Sequence, residues 1–311
     1  MYTTNHHLIV IFLIVTFSIV SLQVSSAQEN ENEEEELEPG EVEWNYEGIT
    51  RANFSDVGLT RWAGGGQSST SMSGLLSFKK ERISYVTEWE SRLRSGYGIT
   101  RLGDRDNRFQ KTDDFLILFS KINRYIAEDY DLSASTDFRT QMRSGYRYGP
   151  DGERLELLNL FMAPAFLTTS LGVEYSPSDN FSATLSPLSG KTTFVIRDEI
   201  RPISDLYGIP VGGGIKHEFG ASFSLLFNYR LMENIRFENE LLLFAGYEDF
   251  GKVDVNWETL LNLKVNDHIT VSIGTHLIYD EDIQIPVGED EFETGVQFKR
   301  ALQAGVSYEL F

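Results

Sequence analysis

The last third of the chain alternates apolar and polar residues with a period of two. Between Gly220 and Leu231 every second residue is apolar: Ala221, Phe223, Leu225, Phe227, Tyr229 and Leu231. The segments 253–265 and 302–310 repeat this pattern. Because successive side chains of a strand point to opposite faces, each segment has one apolar and one polar wall. Such strands are typical of a transmembrane barrel with lipid outside and a polar lumen.

The N-terminal segment has the pattern of a secretory signal peptide. Residues 8–24 are apolar, and Ser25, Ser26 and Ala27 provide the small side chains that a signal peptidase requires. We therefore expect residues 1–27 to be removed before Gln28. Because residues 1–7 contain no Lys or Arg, an uncleaved membrane helix stays open as the alternative.

An acidic segment follows. Residues 28–43 contain nine glutamates and no basic residue, in a chain of net charge −20. Like-charge blocks are usually solvated and unfolded, so we expect residues 28–46 to be a disordered tail. A tether for a basic partner or for divalent cations is the alternative. The acidity argues against nucleic acid as a partner.

The chain contains no cysteine, which excludes disulfides, thiolate metal sites and a cysteine nucleophile. After the signal segment no stretch approaches the roughly 20 apolar residues of a membrane helix. A membrane protein without such helices has to pair all of its backbone groups in a closed barrel. We therefore expect an all-β fold, a transmembrane antiparallel barrel that occupies residues 47–311.

Twelve strands are predicted, with a range of ten to fourteen because segment 191–198 offers a further hairpin. The predicted strands are 47–58, 67–78, 83–96, 114–126, 130–144, 159–175, 180–186, 215–231, 234–248, 252–265, 268–280 and 296–310. The predicted connections alternate between short turns, such as 79–81 and 266–267, and longer loops, such as 97–113 and 281–295. This alternation is typical of an outer-membrane barrel with short periplasmic turns. The ending from Tyr308 to Phe311 is interpreted as the signal that outer-membrane assembly machinery recognises.

Several short motifs, in their order along the chain, resemble those of a known family. They are Trp62-x-x-Gly65, Lys111-Thr112-Asp113-Asp114, Thr140-Gln141, Ala163-Pro164-Ala165 and the segment 185–191. The chain resembles, over residues 47–311, an uncharacterised family of exported proteins of Bacteroidota that is known only as a domain of unknown function. The resemblance implies an outer-membrane location and supplies no activity.

The polar walls of the predicted strands carry charges of both signs. On the strand 83–96 they are Glu88, Glu90, Arg92 and Arg94. The candidates for charges that line a path through the lumen are Arg139, Arg143, Arg230, Arg236, Glu238, Glu240 and Glu258. The alternative is that salt bridges fill the lumen, since narrow barrel interiors can be filled by side chains.

The sequence gives little support to an enzyme. After the signal segment only His217, His268 and His276 remain, and none lies in a recognisable catalytic motif. We therefore expect no catalytic, cofactor-binding or metal-binding residue. The acidic loop from Asp280 to Glu293 is interpreted as a solvated loop, with Ca²⁺ binding as the alternative.

These observations predict an integral protein of the outer membrane of a Gram-negative cell, without catalytic function. We expect a structural or accessory barrel that serves envelope machinery; the alternative is a small passive pore or transport-related barrel for ions or small solutes. The expected partners are outer-membrane lipid, the assembly machinery and an envelope protein.

Overall fold

The computed structural model describes residues 39–59, 67–103, 107–149, 152–288 and 291–310. Twelve long strands form the barrel: β1 (Val42–Val57), β2 (Ser69–Ser84), β3 (Thr87–Leu102), β4 (Gln110–Ala127), β5 (Tyr130–Thr140), β8 (Ala165–Ser178), β9 (Phe181–Phe194), β10 (Ile215–Met232), β11 (Ile235–Gly246), β12 (Asp254–Lys264), β13 (Ile269–Tyr279) and β16 (Gln297–Glu309). Two hairpins, β6 (Gly145–Tyr148) with β7 (Arg154–Asn159) and β14 (Gln284–Gly288) with β15 (Glu291–Thr294), lie in loops. In the described ranges, no helix is both long and apolar enough to cross a membrane.

The twelve long strands follow the order β1-β16-β13-β12-β11-β10-β9-β8-β5-β4-β3-β2, and the ring closes between β2 and β1. Each neighbouring pair is antiparallel. Closure removes the free edges that an open sheet would expose. The prediction of an all-β, antiparallel barrel of about twelve strands is confirmed.

The alternation of side chains separates the outer wall from the lumen. On β10, Leu225 lies opposite Leu241 and Ala183 on the neighbouring strands. On the other face of β10, the hydroxyl of Ser222 lies 3.0 Å from that of Ser170 and 2.8 Å from that of Ser189. Apolar side chains therefore meet on the outside and polar ones inside, as a barrel in lipid requires.

Short and long connections alternate around the barrel, as predicted. The short ones, at 85–86, 128–129, 179–180, 233–234 and 265–268, form one end, which we call the short-turn rim. The long ones, at 58–68, 103–109, 141–164, 195–214, 247–253 and 280–296, form the other end, which we call the long-loop rim.

Several strand boundaries differ from the predicted ones, and three of these differences reassign a segment. The predicted turn at 79–81 lies inside β2, because its charged side chains alternate between the two walls and the chain turns only at Tyr85 and Val86. Segment 191–198 adds no hairpin; residues 191–194 complete β9. Strand β1 begins at Val42, inside the segment 28–46 that the sequence analysis assigns to a disordered tail. Residues 1–38 lie outside the described ranges.

A bulge interrupts β9 near Pro187. The register with β8 shifts between Leu171 and Val173, and the register with β10 shifts between Gly220 and Ser222. Proline cannot donate a hydrogen bond to a sheet, so a bulge is where a strand accommodates it. The hydroxyl of Tyr247 donates a hydrogen bond to the carbonyl oxygen of Pro187.

The strands β1 and β16 form the weakest junction of the ring. They share five register pairs, from Ile49 with Glu309 to Asn53 with Gly305, whereas β1 and β2 pair along all 16 residues of β1. At this junction a Cβ added to Gly305 would meet the side-chain oxygen of Asn53 and the carbonyl oxygen of Ala52. Glycine therefore allows the two backbones to approach closely there.

A small apolar lobe lies at the long-loop rim. Its centre consists of four buried residues, Ala163, Val195, Ile200 and Ile209. A 3-10 helix, Arg201–Leu206, runs through the lobe, and the hydroxyl of Tyr207 donates a 2.6 Å hydrogen bond to the carbonyl oxygen of Leu158. The bridge between Tyr207 and Ile283 joins the lobe to the segment after β13.

Candidate functional site: the charged lumen

Three arginines and two glutamates meet inside the barrel, near the middle of β3, β11 and β12. We call them the central cluster: Arg92 and Arg94 on β3, Arg139 on β5, Glu240 on β11 and Glu258 on β12.

Each glutamate of the central cluster is shared between two arginines. Glu240 lies 3.8 Å from Arg92 (Oε2–Nη1) and 3.9 Å from Arg139 (Oε1–Nη2). Glu258 lies 3.2 Å from Arg94 (Oε2–Nη1) and 3.9 Å from Arg139 (Oε1–Nη1). Arg139 therefore links both carboxylates.

The contacts of the central cluster cross the lumen. From β3 to β11 the ring takes six steps in either direction, through β2, β1, β16, β13 and β12, or through β4, β5, β8, β9 and β10. The two strands are therefore diametrically opposite, and Arg92 and Glu240 bridge them. Side chains from opposite walls therefore meet at this level of the lumen.

Further groups hold the arginines in place. Asp137 lies 2.5 Å from Arg139 (Oδ1–Nε), and Glu90 lies 2.7 Å from Arg92 (Oε1–Nε). The ring of Phe119 lies 4.4 Å from the guanidinium carbon of Arg92. The central cluster together with the carboxylates of Asp137 and Glu90 holds three positive and four negative charges. The arginines are therefore flanked by carboxylates along the wall as well as across the lumen.

A second layer of ion pairs lies nearer the long-loop rim. Buried Lys191 on β9 lies 2.6 Å from Asp254 on β12 and 2.5 Å from Asp280, which follows β13. Lys216 on β10 lies 2.5 Å from Asp282. The carboxylates of Asp280 and Asp282, which the sequence analysis considers as Ca²⁺ ligands, are thus paired with ammonium groups.

A third layer lies nearer the short-turn rim. Buried Glu174 on β8 accepts hydrogen bonds from Lys121 (2.8 Å), Asn123 (2.7 Å) and Thr184 (2.8 Å). Across the lumen, Arg51 on β1 donates a 3.0 Å hydrogen bond to Asn262, whose amide nitrogen donates to Glu238 at 3.1 Å. The lumen is therefore crossed or lined by ion pairs at three levels.

Three of the seven predicted lumen candidates, Arg139, Glu240 and Glu258, come together in the central cluster. Glu238 lies on the lumen face of β11, as Glu240 does, and it accepts the hydrogen bond from Asn262. The other three lie elsewhere. Arg143 is exposed beyond the end of β5, where its backbone N–H donates to Asp114 at 2.9 Å.

Arg230 and Arg236 are register partners near the short-turn rim, and both are exposed. Neither forms an ion pair with a residue of the described ranges. The four arginines at positions 139, 143, 230 and 236 therefore do not form one group, and the path that they were predicted to line stays a prediction.

Arg92, Arg94 and Lys191 are not among the seven predicted lumen candidates. The alternation places the first two on the polar wall of β3, so the signal was available. What one sequence cannot supply is the pairing of β3 with the opposite wall. Lys191 was not recognised because β9 was predicted to end at residue 186, before it.

The positions of the remaining candidates are also defined. Tyr308 lies on the outer face of β16, opposite Thr50 of β1, and is exposed; Phe311 lies outside the described ranges, as do Trp62 and Gly65. The imidazole of His276 lies 3.0 Å from the amide oxygen of Asn256 and 3.6 Å from a carboxylate oxygen of Glu258.

Three carboxylates of the lumen, those of Glu81, Glu88 and Glu90, lie within 4.8 Å of one another. The ammonium group of Lys79 lies 2.9 Å from Glu81 and 3.5 Å from Glu90. A cation of the chain itself therefore already balances part of this negative charge.

Two family models match different parts of the chain. Residues 54–146 match the family described as "Protein of unknown function (DUF3078)", and residues 167–309 match "Protein of unknown function, DUF481". Each match covers less than half of the 311 residues. The first begins at the end of β1 and covers β2 to β5, and the second covers nearly all of β8 and continues through β16, so both lie in the same barrel. No curated protein matches the chain.

The chain is also similar to solved structures. An outer membrane channel from Pseudomonas putida F1 is 12% identical, with 91% of this chain and 100% of that chain covered and a TM-score of 0.38. The NanC porin is 9% identical, with 85% of this chain and 100% of that chain covered and a TM-score of 0.39. The translocator domain of the autotransporter NalP from Neisseria meningitidis is 8% identical, with 98% of this chain and 95% of that chain covered and a TM-score of 0.32. These values are low, and the barrel assignment rests on the strand pairing of this chain.

Proposed function

We propose that the protein is an integral barrel of the Gram-negative outer membrane whose lumen is closed by its own side chains. In this proposal it serves the envelope as a structural or accessory barrel and catalyses no reaction. The short-turn rim faces the periplasm and the long-loop rim faces outward, in keeping with the usual loop lengths of such barrels.

The outer wall supports the membrane location. Outward-facing side chains are apolar along the strands, for example Leu185, Phe298 and Leu302, which are 61%, 61% and 75% exposed. Exposed apolar residues in such number on a folded chain indicate a lipid or protein environment. The inner wall carries the ion pairs, which is the distribution that a barrel in lipid needs.

The observation that carries the closed-lumen proposal is the bridge between diametrically opposite strands. Arg92 and Glu240 join β3 to β11, and Arg94 and Glu258 join β3 to β12. An ion that crossed at this level would have to separate these pairs.

The long-loop lobe supports an accessory role. Its surface exposes Phe161 (45%) and Val211 (67%), while its centre is fully buried. An ordered loop structure with apolar side chains on its surface is suited to contact with another envelope protein.

A narrow pore is the second candidate function. Three of the four ion-pair contacts in the central cluster are 3.8–3.9 Å long, beyond ordinary hydrogen-bond length. Arginine and glutamate side chains are long and rotatable, so a rearrangement without backbone movement would widen the lumen.

Recording of single channels in planar lipid bilayers distinguishes the two functions. For the closed barrel we expect no conductance from the wild-type protein and conductance steps from Arg92→Ala/Arg139→Ala, because this double substitution removes both arginines that hold Glu240. The matched control is Arg236→Ala, which removes an exposed arginine outside the cluster. Reproducible wild-type conductance would refute the closed-lumen proposal and favour the pore.

Affinity purification from membranes tests the accessory role. We expect a co-purifying envelope protein that is lost when residues 281–295 or 28–43 are deleted, while heat-modifiable migration shows that the barrel still folds. A wild-type protein that purifies alone under mild extraction would contradict the accessory role.

A further inference from the structure

Three carboxylates lie together on the lumen face near the short-turn rim. They belong to Glu81 on β2 and to Glu88 and Glu90 on β3, and one carboxylate oxygen of each lies within 4.8 Å of those of the other two. We call these residues the carboxylate triad. The sequence analysis predicts no metal-binding residue, and the three glutamates come together only through the pairing of β2 with β3.

The register sets like charges of the carboxylate triad directly opposite one another. Glu81 on β2 is the register partner of Glu90 on β3, and Glu88 lies two residues nearer the turn at 85–86. Like charges in opposite positions destabilise a sheet, so a nearby cation is needed to offset them. Lys79 supplies part of this charge, since its ammonium nitrogen lies 2.9 Å from Glu81 and 3.5 Å from Glu90.

Glu88 has no such partner. Within the described ranges its carboxylate forms neither an ion pair nor a hydrogen bond. Lys79 approaches the triad from the side of the central cluster, because it lies two residues deeper along β2 than Glu81. Lys121 on β4 donates to both carboxylate oxygens of Glu174, at 2.8 and 2.9 Å. One carboxylate of the triad is therefore left without a countercharge.

A buried amide beside Glu88 has an oxygen without a partner. Asn123 on β4 is the register partner of Glu88 and is only 3% exposed. Its Nδ2 donates a 2.7 Å hydrogen bond to Glu174, which fixes the amide, because a half-turn would set its oxygen against that carboxylate. The oxygen Oδ1 accepts no hydrogen bond from any residue of the described ranges. Buried amide oxygens are almost always paired, so an orphan of this kind points to a bound water or ion.

The direction of that amide places its oxygen on the side of the carboxylate triad. Glu174 lies on β8, and the ring runs from β8 through β5 and β4 to β3. The amide nitrogen of Asn123 is turned toward β8, so the oxygen is on the branch that faces away from β8. On that side of β4 stands Glu88. The orphan oxygen and the carboxylate without a countercharge are thus neighbours.

The field at this end of the lumen favours a cation. Glu43 and Glu47 on the lumen face of β1 are exposed and add two negative charges; Glu43 lies opposite Ile83, which in turn lies opposite Glu88. Clefts lined by one sign of charge concentrate ions of the opposite sign. Carboxylate, amide and water oxygens in a flexible arrangement are the ligands that Ca²⁺ takes.

We propose that the carboxylate triad and the amide oxygen of Asn123 bind one Ca²⁺ ion at the short-turn end of the lumen. The ion neutralises Glu88 and the opposed pair Glu81 and Glu90 from the rim side, whereas Lys79 contacts that pair from the side of the central cluster. It ties β2, β3 and β4 together. This site goes beyond the closed-lumen function and does not depend on it, because the triad is formed whether or not the central cluster opens.

Isothermal titration calorimetry tests the proposal on the full chain in detergent, freed of metal with EDTA and then titrated with CaCl₂ in excess KCl. We expect one Ca²⁺ ion per chain. Glu88→Gln breaks no ion pair of the described ranges and should weaken binding about 10- to 100-fold, since even the partners of metal ligands contribute that much. The matched control is Glu128→Gln, which removes an exposed negative charge from a turn of the same rim and should leave binding unchanged.

A second variant predicts a change of the opposite sign. Lys79→Gln removes the ammonium group that competes for Glu81 and Glu90, so it should tighten Ca²⁺ binding. Heat-modifiable migration scores the folding of every variant, and wild type with Lys79→Gln decides the matter if Glu88→Gln does not fold.

Three results would overturn the proposal. The first is a wild-type protein that binds no Ca²⁺. The second is a folded Glu88→Gln variant with wild-type affinity, or with the same loss as Glu128→Gln. The third is binding in Lys79→Gln alone, which would show that Lys79 already fills the place of the ion.

Discussion

Arg92 and Glu240 are 148 positions apart in the chain (240 minus 92) and stand on diametrically opposite strands, yet their side chains are in contact within the barrel. The pair shows how the interior is built: charged side chains extend from one wall and are neutralised by the other. The lumen is therefore a set of ion pairs held by the ring of backbone hydrogen bonds around it.

A double-mutant cycle measures that contact. We expect Arg92→Ala and Glu240→Ala to show a coupling free energy of about 1 kcal/mol in denaturant unfolding, because the pair is partly solvated and its contact is long. Arg92→Ala combined with Glu238→Ala should be additive, since Glu238 bonds Asn262 and not Arg92. Additivity in both cycles would contradict the contact across the lumen.

Glu174 should be among the most sensitive charged positions. Its carboxylate is buried and accepts bonds from three side chains, so Glu174→Ala leaves the ammonium group of Lys121 without its partner. We expect a loss of about 3–5 kcal/mol in the free energy of unfolding. Glu128→Ala, in an exposed turn, should change it by less than about 0.5 kcal/mol. Equal effects would show that the network around Glu174 does not form.

The assignment of the two walls is tested with lysine. Leu225→Lys places a charge on the outer face of β10 and should cost about 2–4 kcal/mol in a vesicle refolding equilibrium. Asn228→Lys, on the lumen face of the same strand, should cost far less. Asn262 is unsuitable as the control, since its amide bonds Arg51, Ser272 and Glu238. Similar losses of folding free energy at positions 225 and 228 would contradict the assignment of an outer face and a lumen face on β10.

Gly305 should be required for closure of the barrel. Its added Cβ would meet Asn53 and Ala52, so we expect Gly305→Ala to cost about 1–3 kcal/mol, measured by unfolding in detergent. In Gly74→Ala the nearest atom is the carbonyl oxygen of Arg51 at 3.8 Å, an ordinary contact, and we expect little change. A harmless Gly305→Ala would argue against the pairing of β1 with β16.

The lobe should lose stability in alkali. Burial raises the pKa of the Tyr207 hydroxyl above its usual value, because the phenolate is poorly solvated there. The unfolded chain then releases this proton at a lower pH than the folded chain, so stability is complete below about pH 10 and falls above it. Tyr207→Phe should remove this dependence, as judged by proteolysis of the lobe from pH 8 to 11. An unchanged profile in Tyr207→Phe would assign the effect to another group.

The strand count, the direction of the strands and the two rims were predictable from the sequence, because they follow from local alternation and loop length. The end of β2 was not, since charged residues such as Lys79 and Lys80 suggest a turn while the structure uses them on opposite walls. The end of β9 was missed because Pro187 suggests a strand end, whereas here it lies in a bulge.

The candidate site was predictable only in part. The alternation places Arg139, Glu240 and Glu258 on polar walls, but it also places Arg230 and Arg236 there, and height along the barrel separates the two sets. Which charges meet across the lumen depends on the register between strands that are distant in sequence, and one sequence does not contain that information.

Five residue pairs join β1 to β16, fewer than at any other junction between the described barrel strands. A pulling force applied to Ile49 on β1 and to Glu309 on β16 would act first on these five pairs. The cylinder would then open into a twisted sheet along this line, and the ion pairs that cross the lumen, deprived of their opposite wall, would break in the same event.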